Sequence, residues 1–391
     1  MNKSILNKLE KSDKITLLFL SWRDIKSPKM GGAEIFTHEM MKNSDLSKLN
    51  IIHISPLFKG AKNIEYIDGI TYLRMGNIFS VILKSKKYYK INKDKINYVI
   101  DQCNTHRFFT KFWVEDKKRI FLIFQLTREI WDIQLSFPFN KIGKILENAM
   151  LKLNKNDITI TISESTIRDL VKIGFKKEKI KIIPIGLNFK PWTDNMLFNK
   201  EENPTFIFVG RYAKYKGIDA SISAFGEIKK KHKKAKLWIV GKKDNKYINK
   251  NLIPICNKYK LSYGSYNEQN DIIFYDFVTD DKKLELMSKA HVLLMPSIRE
   301  GWGMIITEAA VVGTPSIVYN SPGIIDAVNF GDAGYIVKNN NFQELSEIMN
   351  DVIENNKKYN VLRRNAYNFN SKFNWINTGK EFTKFINEIK E

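Results

Sequence analysis

Cysteine is nearly absent. The 391 residues hold two, Cys103 and Cys256. They form no disulfide framework and have no metal-ligand spacing, which predicts a reducing compartment. Long apolar runs are missing as well. The first hydrophobic stretch, "ITLLFL", is far shorter than a membrane span and lacks a cleavage site, so it reads as a buried strand. There is no internal repeat and no nucleic-acid recognition motif. Neither G-x-G-x-x-G nor G-K-[ST] occurs, which argues against a dehydrogenase or a P-loop enzyme. Acidic residues are outnumbered, 42 against 64 Lys and Arg, for a net charge of +22. Such an excess implies an anionic partner: nucleotide phosphates, acidic lipid or nucleic acid. A Lys-, Asn- and Ile-rich composition of the kind AT-rich genes encode accounts for part of it.

What is present is a globular composition, 43% hydrophobic and 12% aromatic, in a chain long enough for two domains. Short continuous apolar runs predict strands at Ile15–Leu20, Ile51–Ser55, Tyr98–Ile100, Ile120–Phe124, Ile158–Ile162, Ile180–Pro184, Thr205–Val209, Lys236–Val240, Ile272–Tyr275, Val292–Met295 and Ser316–Val318. Continuity rather than alternation marks parallel strands covered on both faces. Helical patterns intervene at Thr166–Lys172, Ile218–Lys230, Lys282–Lys289 and Met304–Val312, so the expected fold is α/β, with doubly wound sheets. The stretch "PIGLNFKPWTDNMLFNKEENP", 184 to 204, breaks the rhythm with three prolines. It divides the chain into a domain over 1–186, a linker over 187–204 and a second domain over 205–374. Open α/β sheets bind ligands at the carboxyl ends of their strands, so the cleft between two such domains is the expected site.

Three stretches carry candidate chemistry. In "REGWGMIITEAAVVGTP", 299 to 315, a strand, a glycine-rich loop and a helix follow one another, with Gly313 as the helix C-cap. The helix start near Gly303 offers free N–H groups and a positive dipole end to an anion. Gly301 and Gly303 admit a ligand close to the backbone. Glu308 lies about 7 Å along the helix, at 1.5 Å per residue, where a carboxylate can accept ribose hydroxyls. A solvent-facing Glu308 and an ordinary helix-start Glu300 fit the same spacing. In "FVGRYAKYKGIDASISAF", 208 to 225, Arg211 and Lys216 follow a strand in a Gly-bounded loop, a planar fork and a flexible point charge suited to a diphosphate. A solvated basic loop is the plainer alternative. In "SPKMGGAEIFTHEM", 27 to 40, Gly31-Gly32 before a helix is a weak phosphate-loop signal. Asp280-Asp281 invites a metal reading but stands where a helix N-terminus favours acidic residues.

Taken in order, "GGAE", "VGRYAKYKGID", "EGWGMIITE" and "GTP" resemble the GT-B retaining glycosyltransferases of family 4 (glycosyl transferases group 1). "FQLTREIW", "TISESTIRDL", "PIG", "SPGIIDAV" and "DAGYIV" extend the likeness over most of the chain. The resemblance implies a GT-B architecture, two Rossmann-like domains facing a deep cleft, with the C-terminal helix at 375–391 packing back on the first domain. It implies transfer of a hexose from a nucleotide-diphosphate sugar, UDP favoured, to a glycan or polyprenyl-linked acceptor, with retention and with no metal or other cofactor. Glu308 would bind the donor ribose, and Arg211 and Lys216 the diphosphate. The backbone of Trp302, Gly303, Met304 and Ile305, with the Gly31-Gly32 turn, would hold phosphate and sugar, and Glu300 would sit by the transferred sugar. Glu34 of "GGAE" joins the sugar and acceptor side. One departure stands out: where the family often has a histidine facing the sugar, this chain has Phe124. His106 is a candidate substitute, or else a surface-loop histidine, and Gln125, Arg128 and Glu129 are polar candidates facing the cleft, or else part of a structural ion pair under the sheet. A phosphorylase or sugar-phosphate synthase on the same fold, and a degenerate member that binds without turnover, remain alternatives.

Basic and apolar residues mix in "IFSVILKSKKYYKINK" and "HRFFTKFWVEDKKR", which suits an anionic membrane, or else a core helix with solvated lysines on its back. The expected location is the cytoplasm, peripheral at the inner face of the cell membrane. No nucleic-acid partner is expected, and oligomeric state leaves no mark in the sequence.

Overall fold

A computed structural model describes residues 9, 13–104, 106–265 and 269–390, which divide into two compact units. The first comprises 1–127, 141–188 and 373–391, and the second 128–140 and 189–372.

Among the described residues the first unit has one sheet of β1 (Ile15–Leu20), β2 (Leu49–Ser55), β3 (Ile64–Ile67), β4 (Ile70–Arg74), β5 (Tyr98–Cys103), β6 (Arg119–Ile123), β7 (Ile158–Thr161) and β8 (Ile180–Ile182). Their order is β3-β4-β2-β1-β5-β6-β7-β8. β3 pairs antiparallel with β4, and the other pairings are parallel. β1 and β5 are buried along their whole length, as strands with helices on both faces must be. The expected positions hold within a few residues for the long apolar runs. β3 and β4 are not among the expected strands. β3 alternates exposed and half-buried residues, and β4 follows it after a two-residue turn at Asp68-Gly69, so neither presents a long apolar run.

The second unit's sheet is all parallel, β11-β12-β10-β9-β13-β14-β15. Its strands are β9 (Thr205–Val209), β10 (Lys236–Val240), β11 (Tyr263–Gly264), β12 (Ile272–Tyr275), β13 (Val292–Met295), β14 (Ser316–Tyr319) and β15 (Tyr335–Val337). Phe206, Phe208, Leu237, Ile239, Leu294 and Ile317 feed one core cluster with Ile222, Phe225 and Met349 of the covering helices. In both sheets the chain winds outward in two directions from a central pair, β1 and β5 in one and β9 and β13 in the other. Those are the switch points where loops diverge and leave a crevice at the carboxyl ends.

Two boundaries differ from expectation. The segment expected as a linker after 188 is anchored on the second unit. The Trp192 N–H donates to Val311 O (3.0 Å) and the Phe198 N–H to Ser288 Oγ (3.1 Å). Lys200, half-buried, donates from Nζ to the carbonyls of Ser288, Ala290 and Gly313 at 2.7–2.9 Å. Prolines and a missing period reveal irregular backbone, but irregular backbone still satisfies its polar groups. The second difference is 128–140, expected in the first domain. It groups with the second unit, where Glu129 Oε2 meets Arg299 Nε at 2.5 Å. The C-terminal helix Trp375–Glu388 packs on the helix Gly32–Lys42 of the first unit through Trp375, Phe382, Phe385 and Ile386. Among the described residues no helix is long and apolar enough to cross a membrane.

Candidate active site

The second unit gathers charge at its switch point. β9 ends at Val209, and the loop that follows is pinned from two sides. The Gly210 N–H donates to Val240 O (2.9 Å), and the turn at Lys214–Lys216 closes on Gly217. Gly217 has φ 75°, and a Cβ there would stand 2.2 Å from Pro296 O. Only glycine therefore lets this loop lie against the segment after β13. The two loops are then stitched together by the Ile298 N–H, which donates to Tyr215 O (2.9 Å). This places Lys216 Nζ 2.5 Å from Glu300 Oε1, with the side chains 12% and 15% exposed. Arg211, on the same loop, is exposed, and among the described residues it has no ion-pair partner.

Behind Glu300 the chain turns through Gly303 (φ 89°, ψ 60°) into the helix Met304–Val311. No side chain caps this helix start, and the first turn closes through the Ile306 N–H, which donates to Gly303 O (2.8 Å). The N–H groups of Met304 and Ile305 lie ahead of the helical ladder, where helix ends leave donors unpaired. The Trp302 side chain turns inward, its Nε1 donating to Thr307 Oγ1 (2.9 Å), so at this position only backbone faces outward. Gly313 follows the helix at φ 81°, and the Thr314 N–H reaches back to Ala309 O (2.9 Å).

Glu308 does not face solvent. Its side chain is 12% exposed, and Oε2 lies 2.8 Å from Lys283 Nζ on the helix Asp280–Lys289. Oε2 is itself fully buried and the approach is not an aligned hydrogen bond, so the contact is one of charge. Burial pushes the Glu308 carboxyl above the ordinary carboxylate range, partly opposed by Lys283 and reinforced by Asp280. Burial works against the Lys283 charge too, but Glu308 and Asp280 outweigh it and hold the ammonium above its usual value. Both groups shift upward, Glu308 because burial wins and Lys283 because its two carboxylate partners win. Lys283 was not among the sequence candidates, because a contact between two helices leaves no local pattern. Asp280 and Asp281 occupy the first turn of their helix, with Thr279 as its cap (Oγ1 accepting from the Lys282 N–H).

In the first unit, the turn after β1 carries Gly31 and Gly32 at the start of the helix Gly32–Lys42. A Cβ at Gly31 would meet only Glu34 Oε2, at 3.7 Å. Glu34 is buried and engaged: Oε2 accepts the Gly31 N–H (2.6 Å) and Oε1 pairs with Arg23 Nε (3.1 Å). It caps its own helix rather than presenting a free carboxylate. Phe124, just past β6, is buried edge-on to Phe36 (5.3 Å), and its carbonyl accepts Thr166 Oγ1–H (2.9 Å). His106 follows β5 and is half-buried, stacked on Trp22 (6.4 Å). Burial lowers its pKa, Asp101 opposing. Gln125 is half-buried, and Arg128 caps the helix Glu129–Gln134 with φ 40°. The structure thus joins Arg211, Lys216, Glu300, Gly303 and Glu308 on one unit. The first-unit candidates Gly31, Gly32, Glu34, His106, Phe124 and Gln125 follow strands β1, β5 and β6.

Two cations after β9, a carboxylate after β13 and a helix start beside them form a crevice suited to a phosphate-bearing ligand. Residues 193–369 match the family described as Glycosyl transferases group 1. The matched segment lies within the second unit. The capsular polysaccharide biosynthesis glycosyltransferase CapM of Staphylococcus aureus is 26% identical over 59% of this chain and 62% of its own length. The first curated relatives are matched over only 57% to 62% of their length. Among solved structures, the chain superposes on sucrose-phosphate synthase of Thermosynechococcus elongatus with a TM-score of 0.74 at 16% identity, covering 96% of this chain and 99% of that one. It also superposes on Anabaena HepE in complex with UDP-glucose, TM-score 0.67 at 16% identity, covering 96% and 100%. At that identity the likeness is one of fold. Each unit has the doubly wound α/β architecture of GT-B proteins.

Proposed function

We propose that the chain is a retaining, metal-independent hexosyltransferase, taking the sugar from a nucleotide-diphosphate donor, UDP favoured, to a glycan or lipid-linked acceptor. The observation that carries this reading is the Lys216–Glu300 pair at the β9/β13 switch point. A donor diphosphate bears two negative charges and outcompetes one carboxylate for Lys216. Binding then frees Glu300 for the sugar hydroxyls, while Arg211 and Lys216 stabilise the diphosphate as it departs. The leaving phosphate takes the acceptor's proton. The N–H groups at Met304 and Ile305 hold phosphate, the Gly31-Gly32 turn has room for a ligand, and Glu308 binds the ribose. The family match over residues 193–369, a neighbour solved with UDP-glucose and a relative named for capsular polysaccharide biosynthesis support the reading.

Calorimetric titration with UDP, GDP and ADP tests it. One nucleotide binds with a Kd of about 1 μM to 100 μM, and Glu308→Ala weakens it by about tenfold or more, the equivalent of one lost charged hydrogen bond. Folded protein that binds none of the three would overturn the proposal.

The partner surface follows from the helix Ser80–Asn92. It buries Val81, Tyr88 and Tyr89 but leaves Phe79 76% and Leu83 71% exposed, beside exposed Lys86, Lys87 and Lys90. These two apolar side chains are not core, which supports a peripheral site on an anionic cytoplasmic membrane face. Sedimentation with phosphatidylglycerol vesicles should carry the protein down, and phosphatidylcholine vesicles should not. If Phe79→Ser with Leu83→Ser leaves that binding unchanged, this helix is not the contact.

A further inference from the structure

Lys283 has no place in the reading above, yet it pairs with the carboxylate which that reading assigns to the ribose. Its helix, Asp280–Lys289, runs beside Met304–Val311, and its ammonium stands 2.8 Å from Glu308 Oε2. Asp280, one turn back, lies 2.9 Å from the same ammonium. Glu308 Oε2 is wholly buried. The surface that the Glu308 side chain retains therefore belongs to its other atoms, Oε1 among them. An ionised carboxylate enclosed this far is costly without a partner, and it sheds the cost by taking up a proton. A protonated carboxyl keeps one weaker acceptor and loses the charge that makes its hydrogen bonds to hydroxyls strong.

We propose that Lys283 is a positioning residue for nucleotide binding: it anchors one oxygen of Glu308 and keeps the group ionised, so that the other oxygen is presented as a charged acceptor for the ribose hydroxyls. The inference rests on the assignment of Glu308 to the ribose. The groups acting on Glu308 are Lys283, which favours its charge, and Asp280, which opposes it. Lys283 works against both burial and Asp280, so it does more than neutralise a nearby charge.

The test measures UDP affinity between pH 6 and pH 8.5 in four proteins: the native chain, Glu308→Gln, Lys283→Met and Lys283→Arg, with GDP and ADP in parallel. Circular dichroism confirms that each is folded. Glu308→Gln has no titrating carboxylate, so its profile records the nucleotide's own ionisation and serves as the baseline. Relative to that baseline the native protein binds at least tenfold tighter throughout. Lys283→Met comes nearest to Glu308→Gln at pH 6 and recovers toward native affinity as pH rises, because without Lys283 burial and Asp280 push the Glu308 carboxyl still higher. Lys283→Arg restores native affinity at neutral pH. A purely structural lysine would lower affinity by the same factor at every pH, and that result overturns the proposal. Native-like affinity in Lys283→Met across the range overturns it equally. If Glu308→Gln binds as well as the native chain, the ribose assignment fails first, and Lys283 has nothing to position. Should no nucleotide bind the native protein, both readings fall together.

Discussion

Lys216→Ala lowers the rate of nucleotide release from a saturating donor by about 10²- to 10³-fold, the loss typical when one preorganised charge partner of a developing anion is removed. The position of the residue explains the size. Lys216 is held on a turn fixed by Gly217 against Pro296, with its side chain only 12% exposed, so its charge acts where water screens it poorly. A second effect accompanies the first. Glu300 loses its 2.5 Å partner and becomes an unpaired carboxylate beside the site meant for phosphate. Donor binding therefore weakens in the single variant for a reason separate from catalysis. Combining Lys216→Ala with Glu300→Gln removes that repulsion and recovers part of the affinity but none of the rate, the non-additive pattern of groups in contact. Steady-state kinetics at saturating donor separates the two. A variant with native kcat and only a raised KM would mean that Lys216 holds the donor without stabilising its departure, and the assigned role would be wrong.

The fold was legible where burial is two-sided. β1, β5, β9, β10 and β13 are continuous apolar runs because helices cover both faces, and each lies where its run predicts. β15 was not expected, since three residues of "YIV" form no run that stands out from a loop. The site was legible in part for the same kind of reason. Glu300, Glu308, Arg211 and Lys216 lie close in sequence to glycines and strand ends, so local pattern names them. What pattern cannot name is the partner across space. Lys283 reaches Glu308 from another helix, and Arg299 reaches Glu129 across 170 positions. Phe124 shows the reverse limit. Its place after β6 suggests a residue facing a ligand, but its ring lies edge-on to Phe36, in the interior of the first unit. Position along a strand fixes where the backbone emerges, whereas side-chain direction is decided by what packs there.

Gly323 tests whether the loop bearing Glu300 is rigid. The Glu300 N–H donates to Pro322 O (3.2 Å), so the two segments lie back to back. At Gly323, φ is 82°, and a Cβ would stand 1.9 Å from Glu300 O and 2.8 Å from Gly301 O. Those are backbone atoms, and no rotamer change relieves the overlap. Gly323→Ala therefore carries two costs: about 1 kcal/mol for a side chain in the left-handed region, and the displacement of the Glu300–Gly301 backbone. The expected loss is more than about 2 kcal/mol in urea unfolding, with nucleotide affinity falling as Glu300 and Gly303 shift. Gly331→Ala supplies the comparison within the same unit. Its φ of 108° is also positive, but the nearest atom to an added Cβ is Ile336 Cδ1 at 3.5 Å, an ordinary contact. It should show the conformational cost alone and leave nucleotide binding intact. If the two variants unfold at the same urea concentration and bind alike, the loop yields without penalty. Glu300 would then be placed by the ligand rather than by the fold.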